Sequence, residues 1–241
     1  MNTYLFFRLY SPLCSWGDIA VGKVRPSFTH PSRSAIVGLI AAALGIKRDE
    51  EEKLESLGKS FLFSVLAESL GNPLSDYHTI QVPPSKSGRT ELKYYSRLDE
   101  LNFLPKYELN TILSYRDYRC DAVYTVVLQG NNSVDYTFGQ IKDALMEPKF
   151  HLYLGRKSCP LAMPLEPQII VAVSVRDALE QIHFIEIELQ VPDTKEFYWE
   201  NGINSGIKET EIFERRDMPL SRKRWQFDVR KEYYAQLQPG G

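Results

Sequence analysis

Four short stretches of this chain gather cations, aromatic rings and hydroxyls, the side chains that a single-stranded nucleic acid would engage. The first runs from Trp16 to Arg33 and sets Lys23, Arg25, His30 and Arg33 among prolines and serines. The second is Tyr77-His78 together with Tyr94, Tyr95, Tyr115, Arg116, Tyr118 and Arg119. The third is Gly155-Arg156-Lys157-Ser158, and the fourth is Arg222-Lys223-Arg224-Trp225. Cations neutralise phosphates, aromatic faces stack on unpaired bases, and a helix N-terminus offers free N–H groups to an anion. Each cluster taken singly also has a plainer reading, in which long basic side chains lie over the tyrosines of a sheet surface.

Templates for enzymatic chemistry are missing. There is no G-x-G-x-x-G, no G-x-x-x-x-G-K-[ST], no H-E-x-x-H and no G-x-S-x-G. The four histidines (His30, His78, His151 and His183) stand singly, without metal-ligand spacing. No D-x-D pair is present to hold Mg²⁺ for nuclease chemistry. The residues therefore point to binding, with no cofactor and no metal.

The elements that must position these clusters follow from periodicity. Residues 4–10, YLFFRLY, read as a strand with Leu5, Phe7 and Leu9 on one face. A helix is predicted at 33–45, where Ile36, Leu39, Ile40, Ala43 and Leu44 form one apolar stripe between start signals at Pro31-Ser32 and a stop at Gly45. The acidic run that follows reads as a solvated turn or short helix, and residues 60–69 as a strand. Residues 70–112 are rich in turn formers and tyrosines and too long for an ordinary connection, so they read as a projecting hairpin. A long strand at 114–130, buried on both faces in its second half, leads to a second helix with Phe138, Ile141 and Leu145 inward and Pro148 as terminator. A short strand is expected at 149–161, and β-rich sequence beyond, in QIIVAVSV, HFIEIELQV, EFYW and RKRWQFDVRKEYY.

That order is α+β: a ferredoxin-like, RNA-recognition-type βαββαβ domain over residues 1–160, with a small β-rich C-terminal part over 161–241. Composition sets few further limits. Twenty-nine Lys and Arg against 31 Asp and Glu exclude a uniformly basic surface but allow a local basic groove. Cys14, Cys120 and Cys159 are odd in number and far apart, which argues for a reducing compartment and against a disulfide framework or zinc site. Arg8 interrupts the apolar start, so neither a signal peptide nor a membrane span is read, and the chain is expected to be soluble and cytoplasmic.

Several spaced motifs occur in one order: LYSPLCSWG, RPSFTHPSRSAIVGLIAAALGI, DYHT, YRDYRCDAVYTVVL and YLGRKSCPL, with RRDMPLSRKRWQFDVRKEYY near the end. Together they resemble the CasD family, which caps the 5′ end of CRISPR RNA in the type I-E Cascade surveillance complex. The resemblance implies a modified RNA-recognition fold with a thumb hairpin, here residues 76–119. It implies a crRNA 5′ handle as ligand, the backbone (CasC) and large (CasA) subunits as partners, and target DNA met only through the assembled complex. One wall of the handle site would be Ser15, Trp16, Gly17, Arg25, Ser32, Arg33 and Ser34, and the opposite wall Gly155, Arg156, Lys157 and Ser158. Tyr77, His78, Tyr115 and Arg116 would lie at the base of the thumb, and Lys23, His30, Arg222 and Lys223 are further candidate RNA contacts.

A sibling class of the same family cleaves CRISPR repeats without metal and resembles a Tyr, Lys, His constellation with the last two adjacent. Here the four histidines follow Thr29, Tyr77, Phe150 and Ile182, so binding without cleavage is expected. Two alternatives remain open at this point. One is a repeat-specific ribonuclease using His78 or His30 with Lys93. The other is a module whose basic clusters meet acidic protein partners.

Overall fold

The structure is a computed structural model that describes all residues except 85–95, 103–104, 132–134, 190, 222–223, 225 and 239–241. Among the described residues the chain builds a nine-stranded sheet, antiparallel but for one short pairing, and a separate two-stranded one. Strand β1 (Asn2–Cys14) alternates as its sequence predicts. Leu5, Phe7 and Leu9 enter one core, while Tyr4 and Phe6 enter a second core on the opposite face. Short strands β2 (Trp16–Gly17), β3 (Val24–Arg25) and β4 (Ser27–Phe28) follow.

Helix α1 (Arg33–Leu44) begins where Ser32 Oγ accepts the Ala35 N–H at 3.1 Å. It ends at Gly45, whose φ of 79° suits a residue without a side chain. Its stripe of Ile36, Val37, Leu39 and Ile40 is buried, each such side chain contributing about 1.5–3 kcal/mol. The acidic run forms α2 (Glu51–Lys59). Strand β5 (Phe61–Ser69) then leads into β6 (Asn72–Val82). After α3 (Arg97–Asn102), the twenty-one-residue β7 (Asn110–Gly130) returns to the centre of the sheet.

β7 has two successive partners along one side. Its half from Val123 to Gly130 pairs with β5, and its half from Asn110 to Cys120 pairs with β6. The handover falls at Asp121 and Gly71, both with positive φ; a Cβ at Gly71 would collide with the Cys120 carbonyl. The β6–β7 ribbon takes its first strand from the excursion read at 70–112 and most of its second from the long strand read at 114–130, so its base is continuous with the buried AVYTVVL segment.

Helix α4 (Phe138–Met146) opens with a reciprocal cap between Thr137 and Gln140 and buries Ile141 and Leu145. Strands β8 (Gln168–Ala172), β9 (Lys195–Glu200), β10 (Glu211–Ser221) and β11 (Gln226–Leu237) and helix α5 (Val175–Leu179) complete the chain. The sheet order is β10-β11-β9-β5-β7-β1-β8, with α1, α2 and α4 over one face and α5 over the other.

Two expected strands are absent. Residues 149–161 hold only one bridge, Tyr153 to Pro160, because Gly155 turns the chain at φ 84° and Cys159 N–H closes on the Arg156 carbonyl at 2.9 Å. The strand that follows α4 is instead β8, inside the QIIVAVSV segment. HFIEIELQV has a strand-like pattern, yet its described residues are irregular. Its backbone is held by side chains rather than by a neighbouring strand: Glu166 accepts the Ile185 N–H, and Arg8 donates to the Ile185 carbonyl.

Candidate nucleic-acid interface

The polar entrance to α1 was the most suggestive phosphate seat in the sequence, and the chain itself fills it. The Arg33 N–H, an orphan donor at the helix start, donates to Asp217 Oδ2 of β10 at 2.8 Å. The Arg33 guanidinium is buried, 6% exposed, against Glu200 at 2.9 Å and the Gly58 and Phe61 carbonyls. Asp217 is also clamped by Arg230 at 2.6 and 3.0 Å, and Arg215 and Arg230 both reach Glu232. Three arginines and three carboxylates therefore close a neutral buried network.

His30 completes it. Its Nε2 lies 3.0 Å from Glu232 Oε2, and its ring stacks on Tyr198 at 3.7 Å. Burial, with the charges of Arg215 and Arg230, pushes its pKa down to about 4, against the pull of Glu232. His30 is thus neutral, donating through Nε2–H to Glu232 while Nδ1 accepts from the Thr29 hydroxyl at 3.2 Å. Burial would raise the Glu232 carboxyl, but the His30 hydrogen bond and both arginines hold it well below the usual carboxylate range.

Five candidate contacts, Ser15, Trp16, His30, Ser32 and Arg33, present almost no surface, although Trp16 and Ser32 border the groove beside α1. Trp16 packs edge-on against Tyr124 at 5.6 Å, and Ser15 Oγ donates to the Asp117 carbonyl at 2.9 Å. These residues shape the walls. Arg222 and Lys223 lie outside the described residues, as do Tyr94, Tyr95, Trp225 and Lys93.

Other candidates gather at the base of the β6–β7 ribbon, divided between its two faces. β3 lies parallel against β7, opposing Val24 to Tyr115 and Arg25 to Arg116, and the Tyr115 N–H donates to the Lys23 carbonyl at 2.9 Å. Tyr77 faces Tyr115 across the ribbon with ring centroids 5.2 Å apart, and the two are 54% and 43% exposed. His78, one residue on and half-buried, opposes Ser114.

The turn Gly155–Ser158 is sewn to the ribbon base. Arg156 donates to the Arg25 carbonyl at 2.9 Å and the Asp117 carbonyl at 3.0 Å, with its guanidinium 4.5 Å from the Tyr118 ring centroid. A Cβ at Gly155 would strike the Ser15 carbonyl, so only glycine permits the two walls to meet. Lys157 and Ser158 stay exposed beside it.

Alongside runs a groove of about 600 Å³ between α1 and residues 150–155. Gly17, Ser34, Gly38 and Ala42 leave its floor shallow, and Lys47, Arg48 and His151 line it with no carboxylate among the lining residues. Sequence reading missed those three residues because they are brought together only by the fold. The small residues of α1 were the available signal: Ala41 and Ala43 pack inward, while Ala35 and Ala42 open onto the groove. Among the described residues no cluster of His, Cys, Asp or Glu is arranged to hold a metal ion.

A sheet extended by a ribbon with an exposed tyrosine pair, basic residues at the ribbon base and a groove with no carboxylate among its lining residues defines a surface fit for a single-stranded polyanion. The profile of the CRISPR-associated protein (Cas_Cas5) family matches residues 4–233, and the chain belongs to that family. It is 33% identical over 165 residues to the CRISPR system Cascade subunit CasD of Escherichia coli (strain K12), covering 68% of this chain and 70% of that protein. A chain of a CRISPR RNA-guided surveillance complex superposes with a TM-score of 0.67 at 26% identity, covering 98% of this chain and 90% of the other. The crystal structure of a Cas protein shares the fold, with a TM-score of 0.60 at 24% identity over 99% of this chain and 98% of the other. No helix among the described residues is long and apolar enough to cross a membrane.

Proposed function

We propose that this chain is the crRNA-binding subunit of a Cascade-type surveillance complex and that it holds the 5′ handle of the guide RNA without cutting it. The observation that carries this reading is the gathering of Lys23, Arg25, Arg116 and Lys157 at the ribbon base, with the exposed Tyr77–Tyr115 pair on the ribbon's other face and the carboxylate-free groove along α1. Family membership, and the relative that is itself a Cascade subunit, support it. The backbone subunit CasC and the large subunit CasA are the protein partners this reading implies, in a cytoplasmic ribonucleoprotein that meets target DNA only when assembled.

The framework that goes with it is a ferredoxin-like, RNA-recognition-type βαββαβ unit. Strands β5, β7, β1 and β8, adjacent in that order and antiparallel, with α1 and α4 against one face, support that assignment. On this reading residues 76–119 are the thumb. The β-rich residues beyond 160 complete the sheet through β8 and extend it through β9, β10 and β11.

The test is the triple variant Arg25→Ala/Arg116→Ala/Lys157→Ala, titrated with a labelled repeat-derived RNA carrying the handle. Loss of three phosphate contacts should weaken binding about tenfold or more and flatten the salt dependence by about one unit of slope per cation. Unchanged affinity and slope would overturn the reading. Incubating wild-type protein with the same RNA in EDTA tests the non-catalytic part. Intact RNA is expected, since His30 is committed to Glu232; site-specific cleavage would establish the ribonuclease instead.

A further inference from the structure

The two ends of the main sheet are built differently. β10, at one end, carries Pro219, register irregularities at Arg215/Met218 and Pro219/Ser221, and the exposed charges Glu211, Glu214 and Arg216. These are the devices by which an edge strand resists pairing with another chain. β8, at the other end, has none of them. It runs in unbroken register against β1, from Asn2↔Ala172 to Phe6↔Gln168. No charged residue occurs from Pro167 to Val175.

In an antiparallel ladder, alternate residues turn N–H and C=O away from the partner strand. Among the described residues no backbone hydrogen bond joins the outer side of β8 to another segment. Along this edge Ile169, Val171 and Val173, at the two-residue spacing of one sheet face, expose 38%, 56% and 59% of their surface. Such a row is a template for an added strand.

We propose that β8 is a docking edge for an extended segment of another subunit of the surveillance complex. The segment adds as an outer strand, with aliphatic side chains at alternate positions against Ile169, Val171 and Val173. Backbone chemistry dictates the extended form, and the uncharged edge dictates the aliphatic face. A second copy of this chain does not fit the role: pairing two five-residue edges buries well under the roughly 1,000 Å² that a stable interface needs. A subunit already tethered to the same guide RNA requires no such area, because tethering raises its local concentration. The inference rests on the assembly proposed above but uses none of the RNA-facing residues.

Hydrogen–deuterium exchange of residues 168–173 tests it, comparing the free chain with the complex assembled on its guide RNA. The outward amides should exchange about tenfold or more slowly in the complex. Val171→Lys should lower the occupancy of one partner subunit while leaving handle-RNA affinity and the free chain's thermal midpoint unchanged. Equal exchange in both states, or protection in the free chain that grows with its concentration, would overturn the docking edge. If Val171→Lys unfolds the chain, the exchange comparison on wild type decides alone. Because RNA affinity is read on the same protein, loss of the docking edge and loss of the RNA reading give separate outcomes.

Discussion

The entrance to α1 and the base of the β6–β7 ribbon contain the same kinds of residue, arginine, histidine, serine and aromatic, and they meet opposite fates. At the entrance every cation has a carboxylate from the C-terminal strands, and the cluster is dry. At the ribbon base Arg156 is anchored by backbone carbonyls, which hold its position without cancelling its charge. A basic residue is available to a polyanion only if the fold has not already supplied its counterion. Sequence clusters cannot reveal that, because Arg33 and Glu200 lie 167 positions apart.

The sharpest way to break this comparison is Arg33→Ala. It strands the buried Glu200 without its partner and should cost about 3–5 kcal/mol, read as a lowered urea midpoint. Handle-RNA affinity of the protein that remains folded should be unchanged; a specific loss of RNA binding without loss of stability would restore Arg33 as a contact.

The next effect is pH-dependent. His30 titrates near 4 in the folded chain against an ordinary 6.5, so below 6.5 the unfolded chain takes up a proton that the folded chain refuses. Its share of stability is complete above pH 6.5 and falls as pH drops toward 4, by roughly 3 kcal/mol at most. Glu200, pushed up by burial, works in the opposite direction, so the informative measurement compares wild type with His30→Gln across that window. The variant should lose less stability between pH 7 and 4.5; parallel curves would show that His30 is not the titrating group.

Smallest is the effect at the ribbon. Tyr77→Ala or Tyr115→Ala should weaken RNA binding by about 1–3 kcal/mol if each face carries a base, with little change in the thermal midpoint. A fall in stability with intact affinity would assign the pair to the ribbon's own packing.

Local signals carried much of the fold. Ser32 and Gly45 bracket α1 as read, β1 alternates as read, and the tyrosine-rich excursion supplies the ribbon's first strand. The interface was legible where it depends on short-range features, as with Gly155, whose turn brings the third cluster against Ser15. It was illegible where elements converge from afar. Lys47, Arg48 and His151 share a groove only because α1 and residues 150–155 are bonded together, the Lys149 and Phe150 N–H groups donating to the Ala43 and Ala42 carbonyls. HFIEIELQV misled because alternation reports amphipathicity only, and here the side chains of Arg8 and Glu166 take the backbone groups that a ladder would use.

One feature of β7 has a mechanical side. Its inner half is gripped by β1 and β5 in the most buried part of the molecule, and its outer half keeps β1 as far as Arg119 and β3 at Tyr115 and Arg116. Beyond β3 the strand is a cantilever: five residues, Asn110–Ser114, reach on the order of 17 Å from that root with β6 alongside. A load applied at the outer end of the ribbon is carried as a bending moment into the core, so the stiffness of the whole sheet sets how far the ribbon can be deflected.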